Sequence, residues 1–263
     1  MVPRDEDALR RELGRAPGRI AFILADRLHV MNPDGSGHTA LVDDQTCADP
    51  AWSPDSSRVL YVRRVAAPGP ERTEIWSVSA DGGRPRLEVE AEWYDAGGGQ
   101  GQYWEYSCPR MSSDGKSLYF ARSRGAISDR QFCEVTPGAG GSPRRVAWGF
   151  DFDVHPETQR VASVAFSNVV PWGYGIEVWE AANPGKRRRL VPIAGDEYAD
   201  VAWSPDGSRI AATYRRRAQG PASVVLIDAA TGEVAVRVQR ARDPTWSPDG
   251  RWIAWLQEDD GAP

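Results

Sequence analysis

Lysine is almost absent from this 263-residue sequence, and positive charge is in the minority. The only lysines are Lys116 and Lys186, and the other basic residues are all arginine. The formal net charge is −5 at pH 7. Binding to phosphate backbones needs a basic surface, so we do not expect nucleic acid as a partner. The basic runs at 186–189 and 215–217 have no interleaved aromatic residues and are interpreted as solvated surface.

Cysteine and histidine are also scarce, with three of each in the chain. The cysteines are Cys47, Cys108 and Cys133, an odd number without metal-ligand spacing. The histidines are His29, His38 and His155. A disulfide framework, a histidine metal triad and a histidine-based nucleophile site are therefore not expected.

Long apolar stretches are missing as well. No run of 18 apolar residues occurs, so we expect no membrane span. The first 18 residues, MVPRDEDALRRELGRAPG, lack the apolar core of a secretory signal and predict a polar tail or short helix. A cytoplasmic location is the simplest expectation, and a periplasmic or secreted one applies if a signal has been trimmed. Hydrophobic residues still make up 41% of the chain, enough for a packed core.

A tetrapeptide repeat organises the sequence. Near copies are Ser53–Ser56 (SPDS), Ser204–Gly207 (SPDG) and Ser247–Gly250 (SPDG), with degenerate copies at 112–115 and 155–158. The third positions are separated by 59, 43, 49 and 43 residues. Ser-Pro-Asp-Gly suits a type I turn followed by a left-handed residue, which closes a β-hairpin.

Short strands flank each of these turns. A basic residue and an apolar run follow the turn, as in Arg58–Val62, Arg209–Ala212 and Arg251–Trp255, and indicate a strand covered on both faces. A third strand, in which apolar and polar residues alternate, and a fourth, more polar strand come next. Repeats of about 40–50 residues with four strands each predict an all-β fold, a β-propeller of four-stranded blades.

The series DPAWSPDSSRVLYV, DVAWSPDGSRIAAT and DPTWSPDGRWIAWL resembles the TolB-type propeller repeat, as does the opening RIAFI…LHVMNPDGSG. The resemblance covers residues 19 to about 256, so we expect a propeller over 19–256 and a short tail over 257–263. The resemblance implies a role in protein–protein contact, although TolB-type repeats also occur in propellers that gate peptidases.

The number of blades is open between two values. The apolar strand occurs six times, beginning near residues 19, 58, 116, 160, 209 and 251. The first copy lacks an innermost strand and the last lacks its two outer strands. Six blades, with the first and last incomplete, fit this count best, and five is the alternative.

One linker is longer than the others and rich in aromatic residues. The segment AEWYDAGGGQGQYWEYS, residues 91–107, fills the 59-residue spacing. With two neighbouring loops it supplies a candidate binding surface, comprising Trp93, Tyr94, Tyr103, Trp104, Tyr106, Trp172, Tyr174 and Tyr198. Clustered aromatics suit a protein or peptide partner, with carbohydrate as another option. Alternatively, the segment folds back as a plug over the central channel.

Acidic residues occur near the start of several innermost strands, at Asp49, Asp151 (or Asp153), Asp200 and Asp243. Innermost strands line the channel of a propeller, so these carboxylates form a candidate metal site for calcium. The alternative is that each aspartate accepts backbone amides at its own turn.

Three classes of function follow from these features. The leading one is a non-catalytic binding module that uses the aromatic and acidic loops and needs no cofactor. The second is a carboxylate- or metal-dependent hydrolase or lyase, glycosidase-like, with Asp49, Glu105, Asp151, Asp200 and Asp243 as candidates at the channel mouth. The third is an accessory domain of a larger protein, like the propellers that gate serine peptidases.

Overall fold

The computed structural model describes residues 18–44, 46–66, 71–95, 101–125, 130–138, 140–149, 151–167, 173–193, 195–216 and 220–258. The structure is all-β, with 23 strands and no α-helix among these residues. Most of the predicted N-terminal tail, and residues 259–263 of the predicted C-terminal tail, lie outside the described residues. Over the described part of the chain, no helix has the length and apolarity needed to cross a membrane.

The strands form consecutive antiparallel sheets along the chain. The first sheet contains β1 (Ile20–Leu24), β2 (Arg27–Met31) and β3 (Thr39–Val42). The second contains β4 (Cys47–Trp52), β5 (Arg58–Val65), β6 (Arg72–Ser79) and β7 (Arg86–Val89). A separate hairpin follows, made of β8 (Trp93–Asp95) and β9 (Gly101–Tyr103).

Three further four-stranded sheets repeat the same order. One contains β10 (Glu105–Met111), β11 (Leu118–Ser123), β12 (Gln131–Val135) and β13 (Arg144–Trp148). The next contains β14 (Phe152–Val154), β15 (Arg160–Ser167), β16 (Gly173–Glu180) and β17 (Asn183–Val191). The last contains β18 (Glu197–Trp203), β19 (Arg209–Arg215), β20 (Ser223–Asp228) and β21 (Val234–Gln239), and a two-stranded sheet of β22 (Ala241–Trp246) and β23 (Ile253–Gln257) follows it.

The blade count corrects the preferred prediction. Six blades were expected, but the structure supports the five-blade alternative: the three-stranded sheet and the four four-stranded ones. The sixth copy of the apolar strand, β23, pairs only with β22 among the described residues, which end at 258. A sheet of two strands buries too little surface to count as an independent blade.

The repeated tetrapeptide forms the predicted turn between the first two strands of a blade. In the copy that begins at Ser204, the serine hydroxyl donates to Asp206 Oδ1 at 2.6 Å and accepts from the Arg209 amide at 2.9 Å. Gly207 has φ +68°, the left-handed conformation that the turn requires. Ser53, Ser112 and Ser247 make the same pair of bonds in their turns.

The degenerate turn at 155–158 replaces the serine with a buried histidine. His155 Nδ1 accepts from the Thr158 amide at 3.2 Å. Its Nε2 lies 3.0 Å from the Pro205 carbonyl oxygen in the next repeat. His155 therefore substitutes for the turn serine and also bonds to the neighbouring turn, a structural role.

The chain divides into two compact units, one of Met1–Phe120 and Val135–Ser142 and the other of Ala121–Glu134 and Pro143–Pro263. In the first unit, apolar side chains of the first two sheets form one core: Leu28, Val30, Val42, Cys47, Val59, Tyr61 and Val78. In the second unit, the sheets that begin with β14 and β18 share a core that includes Val164, Ile176, Tyr198, Trp203, Ile210 and Ile227. Packing between successive sheets explains the consecutive apolar residues of the second strands.

Candidate functional site

The long linker forms the β8–β9 hairpin. Its register pairs Trp93 with Tyr103, Tyr94 with Gln102, and Asp95 with Gly101. Paired residues in an antiparallel hairpin share a face, and alternate residues along a strand do so as well. Trp93, Asp95, Gly101 and Tyr103 therefore lie on one face, which we call the Trp93 face, and Tyr94 and Gln102 lie on the other.

The Trp93 face presents an exposed indole that is held in place by its neighbours. Trp93 is 54% exposed, and its ring meets Tyr103 edge-on, with centroids 5.1 Å apart and planes at 72°. A Cβ atom at Gly101 would lie 1.4 Å from Trp93 Cζ2, so the indole lies directly across a strand position that only glycine leaves open. The Arg72 guanidinium lies 6.0 Å from the Tyr103 ring centroid.

The opposite face of the hairpin attaches it to the blade. The Tyr94 ring lies 5.1 Å from that of Trp104, and the Tyr94 hydroxyl donates to Gln102 Oε1 at 2.8 Å. Trp104 and Tyr106 are 8% and 3% exposed, so they are core residues rather than surface. The Tyr106 hydroxyl donates to the Glu90 carbonyl oxygen at 3.1 Å.

A buried threonine on β6 anchors the end of the hairpin. The Thr73 hydroxyl donates to the Trp104 carbonyl oxygen at 3.2 Å and accepts from the Tyr106 amide at 2.7 Å. The Trp104 amide donates in turn to the Glu92 carbonyl oxygen at 3.0 Å. One side chain therefore satisfies two backbone groups and fixes the direction in which the hairpin leaves the blade.

The charged side chains of the hairpin segment itself are all acidic, although the Arg72 guanidinium of β6 lies beside Tyr103. Residues 87–109 contain five carboxylates and no lysine, arginine or histidine. Glu88 is buried, where it accepts from the Ser77 hydroxyl at 2.6 Å and pairs with Arg86 at 2.9 Å. Glu90, Asp95 and Glu105 are exposed, so the exposed charged side chains of this segment are acidic.

The other predicted aromatics lie in the second unit. Tyr198 is 8% exposed and packs on Tyr214 at 5.3 Å, within the core. Tyr174 is half-buried and packs on the exposed Phe166 at 5.1 Å. Trp172 lies outside the described residues. Of the eight predicted aromatics, the structure brings Trp93, Tyr94, Tyr103 and Trp104 together in two ring contacts on the hairpin.

Three of the four predicted acidic residues occupy a recurrent backbone position. Asp49, Asp200 and Asp243 have φ of +47°, +51° and +52°, and each lies at a break in the register of its strand pair. Asparagine and aspartate tolerate this left-handed conformation better than other residues with side chains. The bulge therefore gives a conformational reason for the recurrence of aspartate.

Two of these carboxylates accept amides of the next innermost strand. Asp49 Oδ2 accepts from the Cys108 amide at 3.1 Å. Asp151 Oδ2 accepts from the Asp200 amide at 3.4 Å, and its Oδ1 pairs with Arg130 at 3.1 Å. Both carboxylates thus join neighbouring innermost strands, whereas the predicted alternative to a metal site had each aspartate accept amides at its own turn.

Asp200 and Asp243 form a carboxyl pair. Burial, the Asp243 charge and a hydrogen bond with the Asp243 side chain together raise the pKa of Asp200 to about 6, against a favourable hydrogen bond from Thr213. Arg242 forms an ion pair with Asp243. The Thr213 hydroxyl also accepts from the Asp243 amide at 3.0 Å. One member of the pair therefore holds a proton through mildly acidic conditions.

The sequence predicted a calcium site at these carboxylates. In the described ranges, no group of three or more histidine, cysteine, aspartate or glutamate side chains is placed to hold a metal ion. Two histidines that are separate in sequence do meet: His38 Nε2 lies 3.0 Å from His29 Nδ1. Desolvation and the neighbouring His38 lower the pKa of His29.

Comparison with solved structures identifies the class of fold. TolB from Acinetobacter baumannii superposes with a TM-score of 0.72 at 21% identity, covering 97% of this chain and 62% of the TolB chain. An oligogalacturonate lyase in complex with manganese gives 0.57 at 14% identity, covering 89% and 65%. A prolyl endopeptidase gives 0.53 at 18% identity, covering 84% and 33%.

These matches show the β-propeller fold that the repeat motifs predicted, and the structure is similar to that of TolB. The chain spans less than two thirds of the length of each of the three proteins. No protein-family model and no curated protein matches the sequence.

Proposed function

We propose that this chain is a non-catalytic binding module that holds a segment of a protein or peptide on the Trp93 face. The observation that carries the proposal is a tryptophan that is 54% exposed yet fixed by Gly101 and Tyr103. A pre-positioned aromatic ring offers a large contact area at a low cost in conformational entropy, and tryptophan is enriched in binding hot spots. The protein–protein contact implied by the TolB-type resemblance agrees with this role.

The plug interpretation of the same segment accounts for only part of the hairpin. A plug needs aromatic residues that face the protein, and Trp104 and Tyr106 do so. It gives no reason for the exposed indole of Trp93. The hairpin therefore has an inner side that stabilises the blade and an outer side that is available to a partner.

Selection from a random 12-residue peptide library tests this function on the intact chain. We expect wild type to enrich related peptides, and Trp93→Ala to bind them at least about 30-fold more weakly, since hot-spot truncations cost about 2 kcal/mol or more. Trp148→Ala is the matched control, because Trp148 is 48% exposed and lies on β13. We expect its binding to equal that of wild type. Failure of wild type to enrich any peptide, or full binding by Trp93→Ala, would contradict the proposal.

A second candidate function rests on the carboxyl pair. A protonated carboxyl group beside an ionised carboxylate is the combination that glycosidases use for acid–base chemistry. The raised pKa of Asp200 supports this role, and an oligogalacturonate lyase is among the proteins of similar fold. The pair is nevertheless explained by strand-to-strand hydrogen bonding at two equivalent bulges, so binding through the hairpin remains our leading proposal.

A further inference from the structure

The surroundings of Trp93 indicate the charge of the ligand. Glu90, Asp95 and Glu105 are exposed, and no basic residue occurs between Arg86 and Arg110. Neither Glu90 nor Glu105 takes part in an ion pair within the part of the chain that the structure describes. Complementary charge guides partners to a surface and rejects those of like charge. The exposed carboxylates of this segment therefore favour a cationic ligand over an acidic one.

The aromatic rings indicate the shape of the cation. Tryptophan attracts a cation over its face more strongly than tyrosine or phenylalanine does. The hairpin already accommodates one guanidinium, because Arg72 lies 6.0 Å from the Tyr103 ring centroid while the Trp93 ring remains largely exposed. A planar guanidinium stacks on an indole and bonds carboxylates through a fork of N–H donors, which a lysine ammonium cannot reproduce.

We infer that the segment held on the Trp93 face is basic, with an arginine side chain stacked on Trp93 and attracted by the exposed carboxylates of Glu90 and Glu105. This inference rests on the proposed function and adds the chemical class of the ligand. The hairpin supplies the ring, and Glu90 and Glu105 supply an electrostatic field that is screened by salt. A neutral or acidic peptide gains neither contribution.

Fluorescence anisotropy with four labelled 12-residue peptides on a Gly-Ser background tests the inference. The peptides carry three arginines, three citrullines, three lysines or three glutamates. We expect the arginine peptide to bind and the citrulline peptide, which keeps the shape without the charge, to bind at least tenfold more weakly. The lysine peptide should bind with an affinity between those of the arginine and citrulline peptides, and the glutamate peptide should not bind. The affinity for the arginine peptide should fall several-fold between 50 and 500 mM salt.

Variants of the protein separate the contribution of the Trp93 ring to binding from that of the acidic residues Glu90 and Glu105. Trp93→Ala should lose most of the arginine-peptide affinity, and Trp93→Phe should retain part of it. The double variant Glu90→Gln/Glu105→Gln should weaken binding several-fold, while Glu157→Gln, an exposed carboxylate in a turn of the second unit, should not. Equal binding by wild type and Trp93→Ala would overturn the inference, because it would indicate diffuse attraction to an acidic protein.

The peptide selection makes failure of this inference distinguishable from failure of the proposed function. Selected peptides that depend on Trp93 but carry no arginine or lysine would overturn the basic ligand and leave the binding module intact. A neutral oligosaccharide that binds at Trp93, when the arginine peptide does not bind there, would also overturn the inference. If neither the library nor the arginine peptide binds wild type, both proposals fall.

Discussion

Asp200→Asn is expected to stabilise the protein at neutral pH, by up to about 3 kcal/mol. The folded protein holds the pKa of Asp200 at about 6, against 3.8 for an ordinary aspartate, because the carboxyl is buried beside Asp243. At pH 7 the folded protein must therefore keep a charge that its surroundings disfavour. Asparagine removes that charge and retains a group that can hydrogen-bond to Thr213 and Asp243.

The pH dependence of this effect has a defined sign. Between pH 3.8 and about 6 the folded state binds more protons at Asp200 than the unfolded state does, so the stability that Asp200 contributes is lost as the pH rises through this window. The gain from Asp200→Asn should therefore be full at pH 7 and vanish near pH 4. Urea unfolding at pH 4, 5.5 and 7 measures it.

Asp206→Asn provides a control of opposite sign. Hydrogen bonds from Ser204 and Ser208 lower the pKa of Asp206 to about 2. The stability that this carboxylate contributes is present above pH 3.8 and lost as the pH falls towards 2, so its replacement should destabilise at pH 7. An Asp200→Asn variant that is less stable than wild type at pH 7 would show that the carboxylate makes contacts whose loss outweighs the burial of its charge.

Thr73→Val should lower the free energy of unfolding by about 2–4 kcal/mol. Valine has nearly the same shape but removes the hydroxyl that bonds the Trp104 carbonyl oxygen and the Tyr106 amide. Two backbone groups at a buried site then lack a partner. Because the same bonds hold the end of the hairpin, peptide binding at Trp93 should weaken as well. Chemical denaturation and anisotropy measure the two effects.

Thr73→Ser is the matched control, since it keeps the hydroxyl and removes only a methyl group. It should retain most of the binding and lose at most about 1–1.5 kcal/mol of stability. Stability and binding in Thr73→Val equal to those of Thr73→Ser would show that the hydroxyl does not anchor the hairpin.

The blades were predictable because the repeat encodes a turn with local chemistry. Serine, aspartate and a left-handed residue are bonded within six positions of one another, as at Ser204–Arg209, so the pattern is visible without tertiary information. The number of blades was harder to predict. The apolar strand at Ile253–Gln257 looks like the others in sequence, and only the pairing of the strands shows that its sheet stops at two.

The candidate site was only partly predictable. The sequence identified the aromatic segment, but it could not separate the exposed Trp93 from the buried Trp104, because both flank a hairpin whose register sets their faces. Gly101 was a usable indication of where the Trp93 ring lies, because it is a glycine on the strand that pairs with the strand carrying Trp93. Thr73 gave none, because its partners lie more than 30 residues away.

The contacts between aspartates and neighbouring strands were likewise invisible in sequence. Asp49 and Cys108, whose amide donates a hydrogen bond to the Asp49 carboxylate, belong to different repeats and are 59 residues apart. The contact between His29 and His38 could not be predicted either, because it depends on the pairing of β2 with β3 in the first sheet. Sequence spacing alone gives the residues of such sites but not their partners.

Hydrogen exchange with and without a selected peptide tests the central claim most directly, because it shows where on the chain a ligand binds. The binding-module proposal predicts that the peptide slows amide exchange at 93–95 and 101–106 in wild type, and that Trp93→Ala abolishes this protection. Protection confined to 197–203 and 241–246, around Asp200 and Asp243, with the hairpin unchanged, would contradict it and place the functional site at the carboxyl pair.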